Sequence, residues 1–212
     1  MKNIPYVFVD TPVDNTEPLA IFAPHAFQTG QAQAKLLTSV MESGKDIALF
    51  QAKRIGDEKS IQSAVCQHGF FSYLKNNSLD VNIVYAQYNR IDAKENEDIL
   101  TDFFRTHPNI GGAVVFNTSA YIISDFMKRN NIRNVKLIGF DISTPNIKAL
   151  KEGYISFLIA ERPEHQGYMA AKAILEYFIY NKKPEVYNYT PIDIIISETV
   201  DFYTTTSFAF KS

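Results

Sequence analysis

Two polar residues stand directly after apolar runs that are typical of buried β-strands. Asn117 follows Val114–Phe116, and Asp141 follows Leu137–Phe140. A helical pattern begins soon after each polar residue, so both close the strand of a β-then-α unit. In open parallel sheets, the carboxyl ends of the strands form the edge where ligands bind. The sequence therefore predicts that Asn117 and Asp141 are two polar arms of one small-molecule site.

The composition is that of an ordinary globular chain. Of the 212 residues, 46% are hydrophobic and 21% are charged, with a net charge of −2. A chain of this mass can bury roughly 70% of its unfolded surface. The charge balance provides no basic surface for nucleic acid, and no apolar run is long enough to span a membrane. The amino terminus lacks the build of a signal peptide, so we expect a cytoplasmic protein without membrane contact.

Strands and helices alternate through most of the chain. Apolar runs that each precede a helical pattern lie near residues 46–51, 81–85, 112–116 and 135–140. Such alternation, with nearly all-apolar strands, predicts a parallel sheet covered by helices on both faces. The region from about 26 to 157 forms a self-consistent lobe. The first strand and the last helix and strand have too few neighbours for a second lobe, so either they extend the first sheet or pieces upstream are missing.

The last long helix begins at Pro163. Its apolar residues at helical spacing are Tyr168, Ala171, Leu175 and Phe178. We expect these side chains to lie on one face of the helix.

Several segments together resemble the effector-binding core of the lac-repressor (LacI/GalR) family, whose fold is shared with periplasmic sugar-binding proteins. The matching segments are Ile4–Asp10, Gly69-Phe70, Asn117, Gly139–Asp141 and Arg162–Tyr168, with weaker matches at Gly30 and Ser197–Val200. The resemblance implies an α/β fold of periplasmic-binding-protein-like type I, in which a ligand lies between two lobes built on parallel, Rossmann-like sheets flanked by helices. It also implies one complete carboxyl-terminal lobe over residues 25–159, with 1–24 and 160–212 as remnants of the amino-terminal lobe and its crossings.

The same resemblance identifies candidate ligand-binding residues. The family's sugar-contacting positions fall on Asp10, Asn117 and Asp141, all of which match in type. Cys66 stands where the family usually has arginine, and Glu161 stands where glutamine is common. A thiol is a weak donor and a carboxylate is only an acceptor, so the predicted pocket is acidic and poor in donors. Such a pocket suits an unusual, cationic or amino sugar, or it has lost its ligand.

Two ring-bearing residues are also predicted to contact the ligand. Tyr88 follows the strand near residues 81–85 and could stack on the apolar face of a sugar, although core packing explains a tyrosine equally well. His25 precedes the first long helix at a strand-to-helix edge. For Asn117 and Asp141, the alternative is that a polar residue after a strand simply caps a helix or turn.

Motifs for catalysis and metal binding are absent from the sequence. There is no G-x-G-x-x-G after a strand, no P-loop, no G-x-S-x-G elbow and no H-E-x-x-H. The four histidines lack metal-ligand spacing, and Cys66 is the single cysteine. We therefore expect a protein that is not an enzyme, with no catalytic residue, no metal site and no cofactor.

Three functions remain open. The leading hypothesis is the effector-binding domain of a LacI-type transcriptional regulator, in which a sugar-like small molecule closes the lobes and controls DNA binding through its different affinity for two states. The resemblance implies a homodimer that contacts DNA only through a reading head absent from this chain. The alternative is a solute-binding protein or a sensor domain for sugar uptake. A small α/β enzyme acting on a sugar or phosphate is the third hypothesis.

Overall fold

A computed structural model describes residues 4–53 and 61–206, which form nine strands and seven helices. The predicted alternation of strands and helices is present from the second strand to the eighth. In chain order the elements are β1 (Val7–Val9), β2 (Ala20–Pro24), α1 (Ala26–Val40), β3 (Asp46–Ala52), α2 (Ile61–Asn76), β4 (Ile83–Tyr88), α3 (Ala93–Thr106), β5 (Ile110–Val115), α4 (Ala120–Arg129), β6 (Lys136–Phe140), α5 (Thr144–Lys151), β7 (Phe157–Ala160), α6 (Pro163–Tyr180), β8 (Tyr187–Thr190), β9 (Asp193–Ile195) and α7 (Val200–Thr206).

These elements fall into two compact units. The smaller unit contains the chain up to His25 together with Glu161–Asp193, and the larger unit contains Ala26–Ala160 and the chain from Ile194 onward. The divisions between the units lie near residues 25, 160 and 193.

The prediction that residues 160–212 belong entirely to the smaller part is wrong for the chain beyond Asp193. Strand β9 takes the end position in the sheet of the larger unit. Ile195 and Val200 are buried in the main hydrophobic core of that unit. Apolar burial, which is the main driving force for packing, therefore assigns this segment to the larger unit.

The larger unit is built on a six-stranded sheet in the order β4-β3-β5-β6-β7-β9. The pairings from β4 to β7 are all parallel. One face packs against α1 and α2, through a core that includes Leu37 and Phe70. The other face packs against α3, α4 and α5, through a core that includes Leu100, Phe126 and Leu150. The predicted α/β fold, with a parallel sheet flanked by helices, is confirmed.

Helices α1 and α2 cross with their backbones in direct contact. A Cβ atom on Gly30 would lie 1.8 Å from the backbone oxygen of Cys66, and a Cβ atom on Gly69 would lie 1.9 Å from the backbone oxygen of Phe27. Each glycine therefore leaves room for the backbone of the other helix. The contact also buries Cys66, whose exposed fraction is 2%.

The smaller unit contains a three-stranded parallel sheet in the order β1-β2-β8. Helix α6 covers this sheet with small residues, because Ala170 and Ala173 pack with Ala20 and Phe22 in a common core. Small side chains let a helix approach a sheet closely.

The apolar face predicted for α6 is therefore not the buried one. Tyr168, Leu175 and Phe178 are 55%, 59% and 64% exposed, respectively, and Ala171 is exposed as well. The residues of α6 that are buried are Gln166, Ala170 and Ala173.

Candidate functional site

Asn117 and Asp141 follow neighbouring strands at equivalent positions. Strand β5 pairs in parallel with β6, and Val114 lies opposite Ile138, an offset of 24 residues. Continued past these paired residues, the same offset would place Asn117 beside Asp141. The two residues follow neighbouring strands, which lie about 4.8 Å apart, at the carboxyl edge of the sheet. Both are half-buried. The structure thus brings together the two arms that the sequence predicts.

The side-chain oxygen of Asn117 is held by two donors from the protein. The backbone N–H of Ser119 donates to Oδ1 at 2.9 Å, and the hydroxyl of Tyr88 donates to the same atom at 2.8 Å. A backbone N–H can only donate, so its contact fixes which end of the amide is the oxygen. Within residues 4–53 and 61–206, Nδ2 has no hydrogen-bond partner. Asn117 therefore offers a hydrogen-bond donor at this edge.

Tyr88 does not lie where a ligand could stack on it. Its side chain is fully buried, and β4 extends to this residue, three positions beyond the predicted end of the strand. The predicted stacking role is therefore wrong. Burial raises the pKa of the Tyr88 hydroxyl. The phenol consequently stays protonated at neutral pH and remains a donor to Asn117.

Asp141 turns the chain out of β6 in a left-handed conformation, with φ of 69°. Aspartate tolerates this region better than most residues. Its backbone N–H donates to the carbonyl oxygen of Ile159 on β7 at 2.8 Å, and its Oδ1 accepts from the backbone N–H of Ile142 at 2.7 Å. Among the described residues, Oδ2 of Asp141 accepts no hydrogen bond. Asp141 therefore offers a charged acceptor one strand away from the donor of Asn117.

A buried asparagine joins the two turns that carry these residues. Oδ1 of Asn146 accepts from the backbone N–H of Tyr121 at 2.9 Å. Its Nδ2 lies within hydrogen-bond distance of the carbonyl oxygens of Thr118, Phe140 and Asp141, at 3.1, 2.9 and 3.2 Å. Asn146 thus fixes the turn after β5 relative to the turn after β6.

The sequence interpretation missed Asn146, although one signal was present. Asn146, Ala149 and Leu150 recur at the spacing of one helix face, and all three are buried. An amide on an otherwise apolar face indicates a buried polar group that needs partners. Here those partners are the backbone groups of the two turns.

A second buried asparagine, Asn96, holds the turn after β4. Its Oδ1 accepts from the backbone N–H of Asn89 at 2.7 Å, and its Nδ2 donates to the carbonyl oxygen of Asn89. Asn89 directly follows Tyr88. Nearby, Lys53 at the end of β3 forms an ion pair with Glu95. The hydrogen bond from Lys53, followed by that from Asn89, lowers the pKa of Glu95. These contacts hold the end of β4, and hence Tyr88, in place.

The other predicted site residues lie in a helix crossing of the larger unit and in the smaller unit. Cys66 is buried at the crossing of α1 and α2, which is a packing position and not an open site. Asp10, His25 and Glu161 belong to the smaller unit.

Within the smaller unit, Asp10 and His25 follow the neighbouring parallel strands β1 and β2. Asp10 is exposed, has φ of 74° and donates its backbone N–H to the carbonyl oxygen of Phe22 at 2.9 Å. The ring of His25 lies against Tyr189, with 4.6 Å between centroids. The backbone oxygen of Glu161 accepts from Nε2 of Gln166 at 2.6 Å.

A separate groove of about 650 Å³ lies on the opposite face of the larger sheet from Tyr88. Its lining residues are Gln51, Ala64, Gln67, His68, Phe71, Tyr85 and Gln87. It includes none of the predicted site residues, so we do not assign it to the edge formed by Asn117 and Asp141. Among the residues that the structure describes, no group of three His, Cys, Asp or Glu side chains could hold a metal ion, and no helix is long and apolar enough to cross a membrane.

Comparison with known proteins identifies one family. Residues 1–183 match the family model described as a periplasmic binding protein domain. A search of curated protein sequences gives no match.

Among solved structures, a candidate LacI transcriptional regulator from Bacteroides fragilis is 32% identical, with a TM-score of 0.87 over 94% of this chain and 69% of that one. The sugar-binding protein of a sugar ABC transporter from Bacillus halodurans is 16% identical, with a TM-score of 0.84 over 94% and 72% of the two chains. A carbohydrate transporter solute-binding protein from Agrobacterium radiobacter, in complex with D-arabinose, is 20% identical, with a TM-score of 0.80 over 97% and 70%. At such low identity, the two transporter proteins show a shared fold alone.

Proposed function

Because the chain belongs to the periplasmic binding protein domain family, we propose that it binds a small, sugar-like molecule at the edge formed by Asn117 and Asp141. The observation that supports this proposal is that, among the described residues, Nδ2 of Asn117 and Oδ2 of Asp141 are an unpaired donor and an unpaired acceptor in the turns after neighbouring strands. Sugar hydroxyls both donate and accept, so adjacent hydroxyls match such a pair. The charged acceptor makes the stronger of the two hydrogen bonds.

Of the two functions with this kind of site, we place regulation of transcription first. The similar protein with 32% identity is described as a LacI regulator. In this proposal the ligand is an effector that binds two conformational states with different affinity and thereby controls DNA binding. DNA would be contacted through a reading head that the 212 residues do not contain. The protein would act in the cytoplasm as a homodimer.

The second candidate is a solute-binding protein or a sensor domain for sugar uptake. Transporter proteins with TM-scores of 0.84 and 0.80 favour it, because they show that the same fold serves uptake. The ligand site would be the same in both functions. The DNA upstream of the Met1 codon distinguishes them, because a regulator requires an in-frame helix-turn-helix and a solute-binding protein requires a secretion signal.

Isothermal titration calorimetry with D-arabinose, D-ribose, D-tagatose, D-glucose and D-galactose tests the binding function. We expect at least one sugar to bind, and we expect Asn117→Ala and Asp141→Ala to weaken that binding at least about tenfold, because each removes a hydrogen bond from a partly buried site. Asn82→Ala and Asp80→Ala are matched controls, since both residues are exposed at the amino end of β4. Unchanged affinity in the first two variants would place the ligand elsewhere.

The proposal also includes the absence of turnover. Each sugar incubated with the protein should be recovered unchanged, as judged by chromatography. Conversion of a sugar that is abolished by Asp141→Asn would favour an enzyme instead.

A further inference from the structure

We propose that Tyr88 is a positioning residue that acts from inside the core. Its hydrogen bond determines that Asn117, at the ligand-binding edge, donates to the ligand and does not accept from it. The inference deepens the proposed function and rests on it for the identity of the ligand. Ser119 and Tyr88 together direct two donors at Oδ1 of Asn117. A carbonyl oxygen has two lone pairs, so this oxygen is fully occupied by the protein. Asn117 can then only donate to a ligand.

The path from Tyr88 to Asn117 runs beneath a residue with a short side chain. Ala52 on β3 lies opposite Tyr88 on β4. On its other side, β3 pairs with β5 so that Phe50 lies opposite Val115, which is the last residue of β5. Continuing the same offset into the turn after β5 would place Asn117 level with Ala52, in a row with Tyr88. The methyl group of Ala52 leaves space for the phenol to reach across the middle strand.

Two donors constrain the amide more than one donor does. With the Ser119 N–H alone, the amide of Asn117 could tilt about a single hydrogen bond, and its oxygen would keep a free lone pair. The Tyr88 hydroxyl donates to that lone pair and fixes the plane of the amide. Because the tyrosine is fully buried, its own position is set by core packing. An ordered donor binds more tightly than a mobile one, since less entropy is lost on binding.

This polarity defines the chemistry of the ligand. The group that faces Asn117 must carry an acceptor oxygen, such as a hydroxyl, a ring oxygen or a carbonyl. The group that faces Oδ2 of Asp141 must carry a hydrogen, as a hydroxyl or an ammonium does. The edge therefore recognises a sugar or amino sugar through two neighbouring groups in a fixed order, with the acceptor at β5 and the donor at β6.

Tyr88→Phe tests the inference, because it removes one hydroxyl and keeps the ring. Tyr154→Phe is a matched control, since Tyr154 is buried in the same core cluster and packs under the guanidinium of Arg133, 3.7 Å from its ring centroid. Calorimetry with D-arabinose, D-ribose and D-tagatose should show binding about 3- to 10-fold weaker in Tyr88→Phe, which is the size of a typical net hydrogen-bond contribution. Tyr154→Phe should stay within about twofold of the original protein.

The double variant separates positioning from general destabilisation. In an Asn117→Ala background, Tyr88→Phe should cause no further loss of affinity, because the group that it orients is gone. An equal loss in that background, or an equal loss in Tyr154→Phe, would show a merely structural effect and overturn the inference.

A second readout needs no ligand. In ¹⁵N-labelled protein, the Asn117 side-chain amide should be rigid in relaxation measurements and should become mobile in Tyr88→Phe but not in Tyr154→Phe. If no sugar binds the original protein, the proposed function fails and this measurement still decides the inference. If a sugar binds but Tyr88→Phe changes neither the mobility of the amide nor the affinity for the sugar, the inference fails and the proposed function stands.

Discussion

Asn117→Asp should weaken ligand binding by more than tenfold while leaving the fold intact. The substitution keeps one side-chain oxygen in place to accept from the N–H of Ser119 and the hydroxyl of Tyr88. It exchanges only the outward NH₂ group for a second oxygen of similar size. The new charge lies just before the amino terminus of α4, where a helix dipole favours negative charge. We therefore expect the free energy of unfolding to change by less than about 1 kcal/mol.

The loss of binding is estimated from the groups that face the ligand. One hydrogen bond disappears, which costs about 1 kcal/mol, and the ligand's acceptor is left facing another acceptor, which costs about 1–2 kcal/mol more. The sum corresponds to binding that is roughly 30- to 150-fold weaker. In this variant, two carboxylates, at position 117 and at Asp141, repel each other. This repulsion does not strengthen the binding of a neutral sugar.

Calorimetry at pH 7 measures this loss, and urea unfolding measures the stability of the same variant. Asn82→Asp is the matched control, because it makes the same chemical change at an exposed position. Affinity within about threefold of the original protein would refute the reasoning, since Asn117 would then not present a donor to the ligand. A large loss of stability would also refute it, because the oxygen facing Ser119 would not be the one described.

Four further predictions concern the supports of the site and of the fold. Asn146→Leu should lower the free energy of unfolding by about 2–4 kcal/mol in urea titrations, because it leaves buried backbone groups of both turns unpaired. Gly69→Ala should destabilise the protein by at least about 2 kcal/mol, because its Cβ would lie 1.9 Å from a carbonyl oxygen of α1. Gly167→Ala, in α6 with nothing within 4 Å of the added Cβ, should instead stabilise it by about 0.5–1 kcal/mol. The pKa of Glu95 is lowered from 4.5 in the folded state, chiefly by Lys53. The unfolded state therefore binds more protons below that value, and stability should fall as the pH drops from about 5 to 3, less steeply in Glu95→Gln.

The rule that ligands bind at the carboxyl ends of parallel strands predicts Asn117 and Asp141 as candidate site residues. The extent of strand β4 is harder to predict, because β4 lies at the edge of the sheet. Asn117 and Asp141 could be predicted because fully buried strands read as continuous apolar runs that end abruptly. Strand β4 lies at the edge of the sheet, with Tyr85 and Gln87 exposed, so its apolar run breaks before the strand does. The apolar run therefore ends three residues before β4 does, and the sequence leaves open whether Tyr88 contacts a ligand or packs in the core.

The contacts of Tyr88 and Asn146 could not be predicted from local patterns. The hydrogen bond of Tyr88 depends on the register of three strands, and apolar runs do not specify register between parallel strands. Asn146 bonds to backbone groups 28, 25, 6 and 5 residues away in sequence. For α6, apolar spacing marked the exposed face, because the helix packs on the sheet through alanines that carry little hydrophobic signal.

The row from Tyr88 through Ala52 to Asn117 has a consequence for how ligand preference can evolve in this fold. A single base change in a tyrosine codon produces phenylalanine and would free the oxygen of Asn117 to accept. The ligand preferred at this edge could then change while every residue that touches it stays the same. Two relatives with identical ligand-contacting residues could therefore prefer sugars that differ in the orientation or substitution of one hydroxyl. A comparison of such relatives must therefore include the core residues that contact the site residues, as well as the site residues themselves.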